Sequence, residues 1–317
     1  MLAAQLIAPR TFVFNQVATP RMQRGQALVR IMGCGICASS LPVWQGRDWF
    51  SYPLEPGAPG HEGWGTIEET SSNDSDLTVG DTVALLSQHA YAELDVVDLS
   101  KTVLLPKDMA EQGFPAEAFG CAMNIWERAA IKPHHKVAIV GMGFLGEILC
   151  ELAAGHGAQV IAVSRRPSAL KLAIEQGACF TIPLSDSDSV ASQVSELTAG
   201  LFCDRVIETT GVQAGIDLAS TLVRVRGSLI IAGYHQDGMR SVNLQEWNWK
   251  GIDVINAHER SSSKYIQGIR AAIKAVESGR IHPHRLLTTR RPLTELNQLF
   301  EALERRPEGF VKGVAFS

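Results

Sequence analysis

The fold is decided between residues 136 and 164. Lys136-Val137-Ala138-Ile139-Val140 is a short apolar run, followed by Gly141-Met142-Gly143-Phe144-Leu145-Gly146. Leu145–His156 then has helical character, and Gln159–Ser164 is apolar again. A glycine triplet at G-x-G-x-x-G spacing carries little weight alone. With a strand before it, a helix after it and a second strand ending about twenty residues on, it becomes the fingerprint of a dinucleotide-binding turn. Gly141 permits the tight turn, Gly143 lets a pyrophosphate approach the backbone, and Gly146 lets helix and strand pack closely. Phe144 and Leu145 open the helix, whose first amides and positive dipole end face the phosphates.

Outward from this stretch the alternation continues. Pro167–Gln176 predicts a helix ending at Gly177, Cys179–Pro183 a third strand, Arg205–Glu208 a strand and Gln213–Val225 a helix. Ser228–Ala232 and Ile252–Asn256 predict two more strands. Strands alternating with helices imply an α/β unit with a doubly wound parallel sheet covered on both faces. Lys264–Ser278 and Leu293–Arg305 predict helices, with Pro283–Thr289 extended between them. Before residue 125 the texture differs. Apolar runs such as Ala27–Met32, Gly65–Glu68 and Asp81–Leu86 are broken by Gly, Pro, Asn and Asp, the pattern of a β-rich domain. Ser71–Asp76 reads as an exposed loop.

With 317 residues, 45% of them hydrophobic, the chain is long enough for two cores. Its 29 basic and 33 acidic side chains leave a net charge of −4. That balance argues against nucleic acid and anionic membranes as partners and favours a small-molecule substrate. The opening MLAAQLIAPR lacks the basic start and apolar core of a signal peptide. No run approaches the roughly 18 apolar residues of a membrane span. Six cysteines do not suggest a disulfide framework, so a cytoplasmic protein with reduced thiols is expected.

Cofactor choice is written at the end of the second strand, Val163-Ser164-Arg165-Arg166. An Asp or Glu there would bind the ribose 2′-hydroxyl of NAD; its absence removes a repulsion, and arginine suits a 2′-phosphate. NADP is the expected cofactor, NAD the alternative. Ser164 and Arg165 are the leading contacts, with Arg166 a third.

Catalytic zinc needs about three ligands from Cys, His and carboxylate, plus an open position. Cys37, His61, Glu62 and Glu117 lie in the β-rich half. Taken singly, each is more often a core residue than a ligand. Taken together they carry a resemblance. Gly35-Ile36-Cys37-Ala38-Ser39 is similar to the Gly-Ile-Cys-Gly-Ser/Thr-Asp segment of zinc-containing medium-chain alcohol and polyol dehydrogenases. Gly60-His61-Glu62 resembles their Gly-His-Glu, and Gly309-Phe310-Val311-Lys312 their usual close. The motifs fall in the family's order across nearly the whole chain.

The resemblance implies a GroES-like catalytic domain over 1–124 and 260–317 and a Rossmann domain over 125–259. It implies Cys37 and His61 as ligands of one catalytic zinc, with Glu62 an occasional ligand or a group behind the ligands. Glu117 matches the third ligand of the sorbitol and threonine dehydrogenase-like branch, and Cys121 competes with it. Ser39 would hydrogen-bond the substrate oxygen and take up its proton. A homo-oligomer, dimer or tetramer, is also implied. The family's four-cysteine structural zinc lobe is absent, since no cysteine lies between Glu62 and Glu117.

Two positions depart from the family. Ser40 stands where an Asp usually orients the zinc-bound histidine, and Pro42 near where a histidine often continues the proton relay. Cys34 and Cys37 form a CxxC without a thioredoxin-like setting, so Cys34 is expected to be a buried small residue. Trp44, Trp49, Phe50 and Tyr52, with Trp247 and Trp249, fit either a substrate pocket or packing. His258 and Arg260, in Asn256–Arg260, are candidates for substrate or cofactor contact. Two other functions fit the same fold: a zinc-free NADPH quinone or enoyl reductase, which would not need the ligand set, and a non-catalytic cofactor-binding protein.

Overall fold

A computed structural model describes residues 1–71 and 76–317. The loop expected over Ser71–Asp76 lies mostly outside the described residues. The chain forms two compact units. Met1–Gly120, Arg260–Glu277 and His282–Ser317 make the first; Cys121–Glu259 and Ser278–Ile281 make the second.

The second unit holds six strands: β1 Lys136–Val140, β2 Gln159–Ser164, β3 Phe180–Pro183, β4 Cys203–Glu208, β5 Val223–Ile231 and β6 Asp253–Asn256. All pairings are parallel, in the order β3-β2-β1-β4-β5-β6. The switch in direction falls between β1 and β4, where open α/β sheets bind ligands. Val137, Ala138, Ile139 and Val140 are fully buried, which explains why this strand is apolar without alternation. Its neighbours in sequence are α1 Phe144–Gly155, α2 Pro167–Glu175, α3 Ser187–Leu197, α4 Gln213–Leu222 and α5 Leu244–Lys250. The doubly wound sheet is as expected from the sequence. The expected helix over 213–225 stops at Leu222, and β5 begins at once. β-branched Val223 and Val225 favour the strand. Helices α3 and α5 escaped sequence reading; each has a polar face and a side-chain cap, from Asp186 and Asn243.

The first unit is β-rich. Its seven-stranded sheet runs Thr289–Pro292, Gly313–Phe316, Gln26–Gly35, Glu62–Thr70, Thr82–Leu85 and Thr102–Leu104, with Leu94–Asp98 also on Gln26–Gly35. Leu2–Ala8 and Thr11–Gln16 form a hairpin beside it. The segment expected to be extended over 283–289 instead begins with a short 3₁₀ turn, Pro283–Arg285. Proline at its first position presets the turn, and the extended backbone starts at Thr289.

Helix Leu296–Arg305 buries Leu296, Leu299, Phe300 and Leu303, one face at helical spacing. Trp44 is 1% exposed and stacks on Phe300 with centroids 5.6 Å apart. Trp44 is therefore core packing rather than a pocket wall, and Phe50 and Tyr52 pack against the same core. Trp49 is exposed. In the second unit Trp247 packs partly against the core, whereas Trp249 is 90% exposed. Among the described residues no helix is long and apolar enough to cross a membrane.

Candidate active site

Strand Gln26–Gly35 runs buried into the turn that carries Cys37 and Ser39, and His61 stands just before the paired strand Glu62–Thr70, which Glu62 opens. Gly35 pairs with Glu62 in the register, so the two motifs meet. Ligand atoms of Cys37, His61 and Glu62 all lie within 4.8 Å of one another. Ser39 Oγ donates to Cys37 Sγ at 3.1 Å and lies 3.4 Å from His61 Nε2.

The glycine of the first motif has a steric reason. A Cβ on Gly35 would sit 1.9 Å from Glu62 Oε2, so only glycine leaves room for that carboxylate. Glu62 is fully buried. Lys312 Nζ, itself buried, donates to its Oε1 at 2.5 Å, while Oε2 has no hydrogen-bond partner among the described residues. A buried carboxylate oxygen left bare is costly, and the Glu62 carboxylate that carries it stands next to a thiol and an imidazole. Cys, His and carboxylate form a zinc-type set.

The histidine is oriented without the family's aspartate. His61 Nδ1 lies 2.9 Å from Pro59 O, and a carbonyl can only accept, so Nδ1 carries the proton and Nε2 turns toward Cys37 and Ser39. Ser40 is buried and takes no part in that contact. Pro42 is buried and offers no proton donor, so any relay beyond Ser39 does not run through it.

Glu117 lies on helix Ala116–Ala129 and is not one of the close trio. Burial pushes its carboxyl up to about 7, against the pull of His61. Burial works against charge on His61, but Cys37, Glu117 and Glu62 outweigh it and push the imidazole up to about 10. The groups around the imidazole thus favour positive charge there. Cys121 is half-buried against the core of the second unit. Cys34 is 1% exposed, as expected.

In the second unit the glycine-rich turn has the shape a dinucleotide needs. Gly141 has φ +104°, and a Cβ on Gly146 would lie 2.1 Å from Gly141 O. A Cβ on Gly143 would meet nothing within 4 Å, so space stands open over the backbone where α1 begins, with Phe144 and Leu145 its first residues. The three residues at the end of β2 differ in environment. Arg165 is exposed, Ser164 is buried, and Ser164 Oγ accepts from Arg166 N at 3.3 Å. Arg166 is half-buried and turned inward, donating to Met142 O at 2.7 Å. His258 is exposed and stacks on Tyr234, and Arg260 is an exposed residue of the first unit.

The family model for zinc-binding dehydrogenases matches residues 145–274, and that for the alcohol dehydrogenase GroES-like domain matches residues 23–106. Both models are domains of zinc-type dehydrogenases, and between them they take in most of the chain. It is 26% identical to an erythritol/L-threitol dehydrogenase of Mycolicibacterium smegmatis, over 94% of this chain and 92% of that one. It is 26% identical to a sorbitol dehydrogenase of Gallus gallus, over 90% of this chain and 88% of that one. The fold is that of the alcohol dehydrogenase from Thermus sp. ATN1, with a TM-score of 0.85, 24% identity and full coverage of both chains. This dehydrogenase is an NAD(P)-dependent oxidoreductase of alcohols or polyols.

Two residues of these sites were not singled out from the sequence. Lys312 was visible only as part of the closing motif; a lysine at the head of the apolar run 313–316 was the available signal. Glu147 follows the glycine turn and is buried on α1. The Gln176 amide, with its nitrogen inward, donates to Glu147 Oε2 at 2.8 Å, while Oε1 has no hydrogen-bond partner among the described residues. Burial pushes the Glu147 carboxyl up to about 8, with Arg166 pulling the other way. Between 4.5 and about 8 the native protein keeps a proton there that the unfolded chain has released, so this group lowers stability as pH rises through that window. Glu147→Gln, which cannot ionise, is expected to exceed wild type by on the order of 2 kcal/mol above pH ~8 and to match it at acid pH. Denaturant titrations at both ends of the window measure this; a constant difference with pH would contradict it.

Proposed function

We propose that the dehydrogenase holds one catalytic zinc on Cys37 and His61 with a carboxylate as the third ligand, either Glu117, as the resemblance implies, or Glu62, which offers an oxygen within 4.8 Å of both. The single observation that carries this is that ligand atoms of Cys37, His61 and Glu62 lie within 4.8 Å of one another. The reaction is hydride exchange between a secondary alcohol or polyol and NADP. Zinc, when bound, supplies Lewis acidity toward the alcohol oxygen, and the nicotinamide supplies the hydride acceptor.

The chain's own residues do the rest. Ser39 Oγ stands half-buried against both Cys37 and His61, placed to hydrogen-bond the substrate oxygen and to relay its proton to solvent, taking one up as it gives its own away. Pro59 O keeps the proton of His61 on Nδ1, which leaves Nε2 as a donor for the metal. The Lys312 ammonium offsets one oxygen of Glu62, so the cluster does not carry every negative charge uncompensated. Gly141, Gly143, Phe144, Leu145 and Gly146 hold the pyrophosphate, and Ser164 and Arg165 receive the 2′-phosphate. Arg166, turned toward Met142 O, is the weaker candidate of the three.

In this reading the first unit is the GroES-like catalytic domain and the second the Rossmann domain, assembled as a dimer or tetramer. No disulfide joins any of the six cysteines among the described residues, which suits the reducing cytoplasm.

Turnover of a panel of polyols and secondary alcohols by the zinc-loaded protein tests the function. Ser39→Ala is expected to lower kcat about 100-fold or more while leaving the Kd for NADP unchanged; an unaltered kcat would remove Ser39 from the chemistry. Arg165→Ala is expected to weaken NADP binding about tenfold and leave NAD binding intact. Equal loss with both cofactors would contradict its assignment to the 2′-phosphate.

A further inference from the structure

Glu208 ends β4 at the switch point of the sheet and is fully buried. Its Oε1 accepts from Thr210 N at 2.6 Å, from Gly211 N at 2.9 Å and from Thr210 Oγ1. Its Oε2 lies 2.9 Å from His235 Nε2. On the far side of that ring Arg240 Nε donates to His235 Nδ1 at 3.0 Å. A guanidinium only donates, so Nδ1 is the acceptor and the imidazole proton sits on Nε2, facing Glu208. The chain of donors runs one way, from Arg240 through His235 to Glu208.

This relay ties two loops together. Arg240 Nη2 also donates to Gly211 O at 2.9 Å, and Ala232 N and Gly233 N both donate to Glu208 O at 2.8 Å. A Cβ on Gly233 would lie 2.4 Å from Gly211 N, so the two loops touch backbone to backbone. The first loop is in turn bonded to the glycine-rich turn, through Thr209 Oγ1 donating to Gly141 O. The second carries Tyr234, stacked on His258 with centroids 5.1 Å apart. A buried polar network contributes less stability than apolar packing of the same volume, and its use lies in fixing one arrangement. In this sheet order the pyrophosphate lies at the end of β1 and the adenosine half at the end of β2. The other half of the cofactor must then extend over the ends of β4 and β5, which these loops form.

We propose that Glu208, His235 and Arg240 are positioning residues that set the loops at the ends of β4 and β5 as the wall for the nicotinamide half of the cofactor. This rests on the cofactor reading given above. The relay touches neither the 2′-phosphate contacts nor the metal ligands, so its loss acts on NAD and NADP alike.

The test is direct titration of NAD and NADP by quenching of protein fluorescence, without turnover, in His235→Phe, Arg240→Met, the double variant and His235→Gln. Each of the first two is expected to weaken both cofactors about tenfold, and the double variant to be no weaker than either. His235→Gln keeps a donor and an acceptor and is expected to recover most of the affinity. Zinc content should be unchanged throughout. Binding within about twofold of wild type in the two single variants, or losses that multiply in the double variant, would overturn the relay. Should His235→Phe fail to fold, Arg240→Met against wild type decides on the same criterion. Wild-type protein that binds neither cofactor would sink the cofactor reading and the relay with it; a binding wild type with insensitive variants sinks the relay alone.

Discussion

Glu62 carries a carboxylate to the end of a strand where water does not reach, and the first unit is arranged around compensating it. The facing strand must present a glycine, since Gly35 leaves the space its Oε2 occupies. The last strand must arrive with Lys312, whose ammonium takes the other oxygen. Register then brings Cys37 and His61 alongside. What remains is one bare oxygen, one thiol and one oriented imidazole, an arrangement whose electrostatics favour a cation. The three motifs along the chain are thus one physical object, and changing any of them disturbs the others.

The second unit uses polar burial differently. Its glycine-rich turn works by lacking side chains, with Gly146 against Gly141 O and open space over Gly143. Around that turn stand buried carboxyls: Glu147 beneath it, whose proton is retained to about pH 8, and Glu208 at the end of β4, with hydrogen bonds to Thr210, Gly211 and His235. The first is tolerated at a cost in stability; the second fixes loops. Both lie within a few residues of the turn or at the adjacent strand end, where a site needs definite geometry more than it needs stability.

Much of this was legible in the sequence because the relevant signals are local. The run 136–146 implies strand, turn and helix by composition and spacing, and the parallel sheet follows from its repetition. The motifs around Cys37 and His61 were legible as a resemblance, and Cys34 as a buried small residue. Long-range partners were not legible. Lys312 reaches Glu62 across 250 positions, and no local pattern announces a pairing of that separation. Ser40 showed in the sequence that the family's orienting aspartate is missing, but not that a main-chain oxygen, Pro59 O, takes over its work. Backbone acceptors leave no trace in residue identity. Trp44 shows the reverse limit: an aromatic suited to a pocket was drawn into the core by Phe300, which lies far along the chain.

The central claim is that Cys37, His61 and the buried carboxylates hold a catalytic metal. Elemental analysis of the purified protein, wild type beside Cys37→Ser, tests it most directly. About one zinc per chain in the wild type, lost in the variant, is the predicted result. A carefully prepared wild type without zinc would contradict it, leaving a nicotinamide-dependent oxidoreductase in which the bare oxygen of Glu62 serves some other purpose.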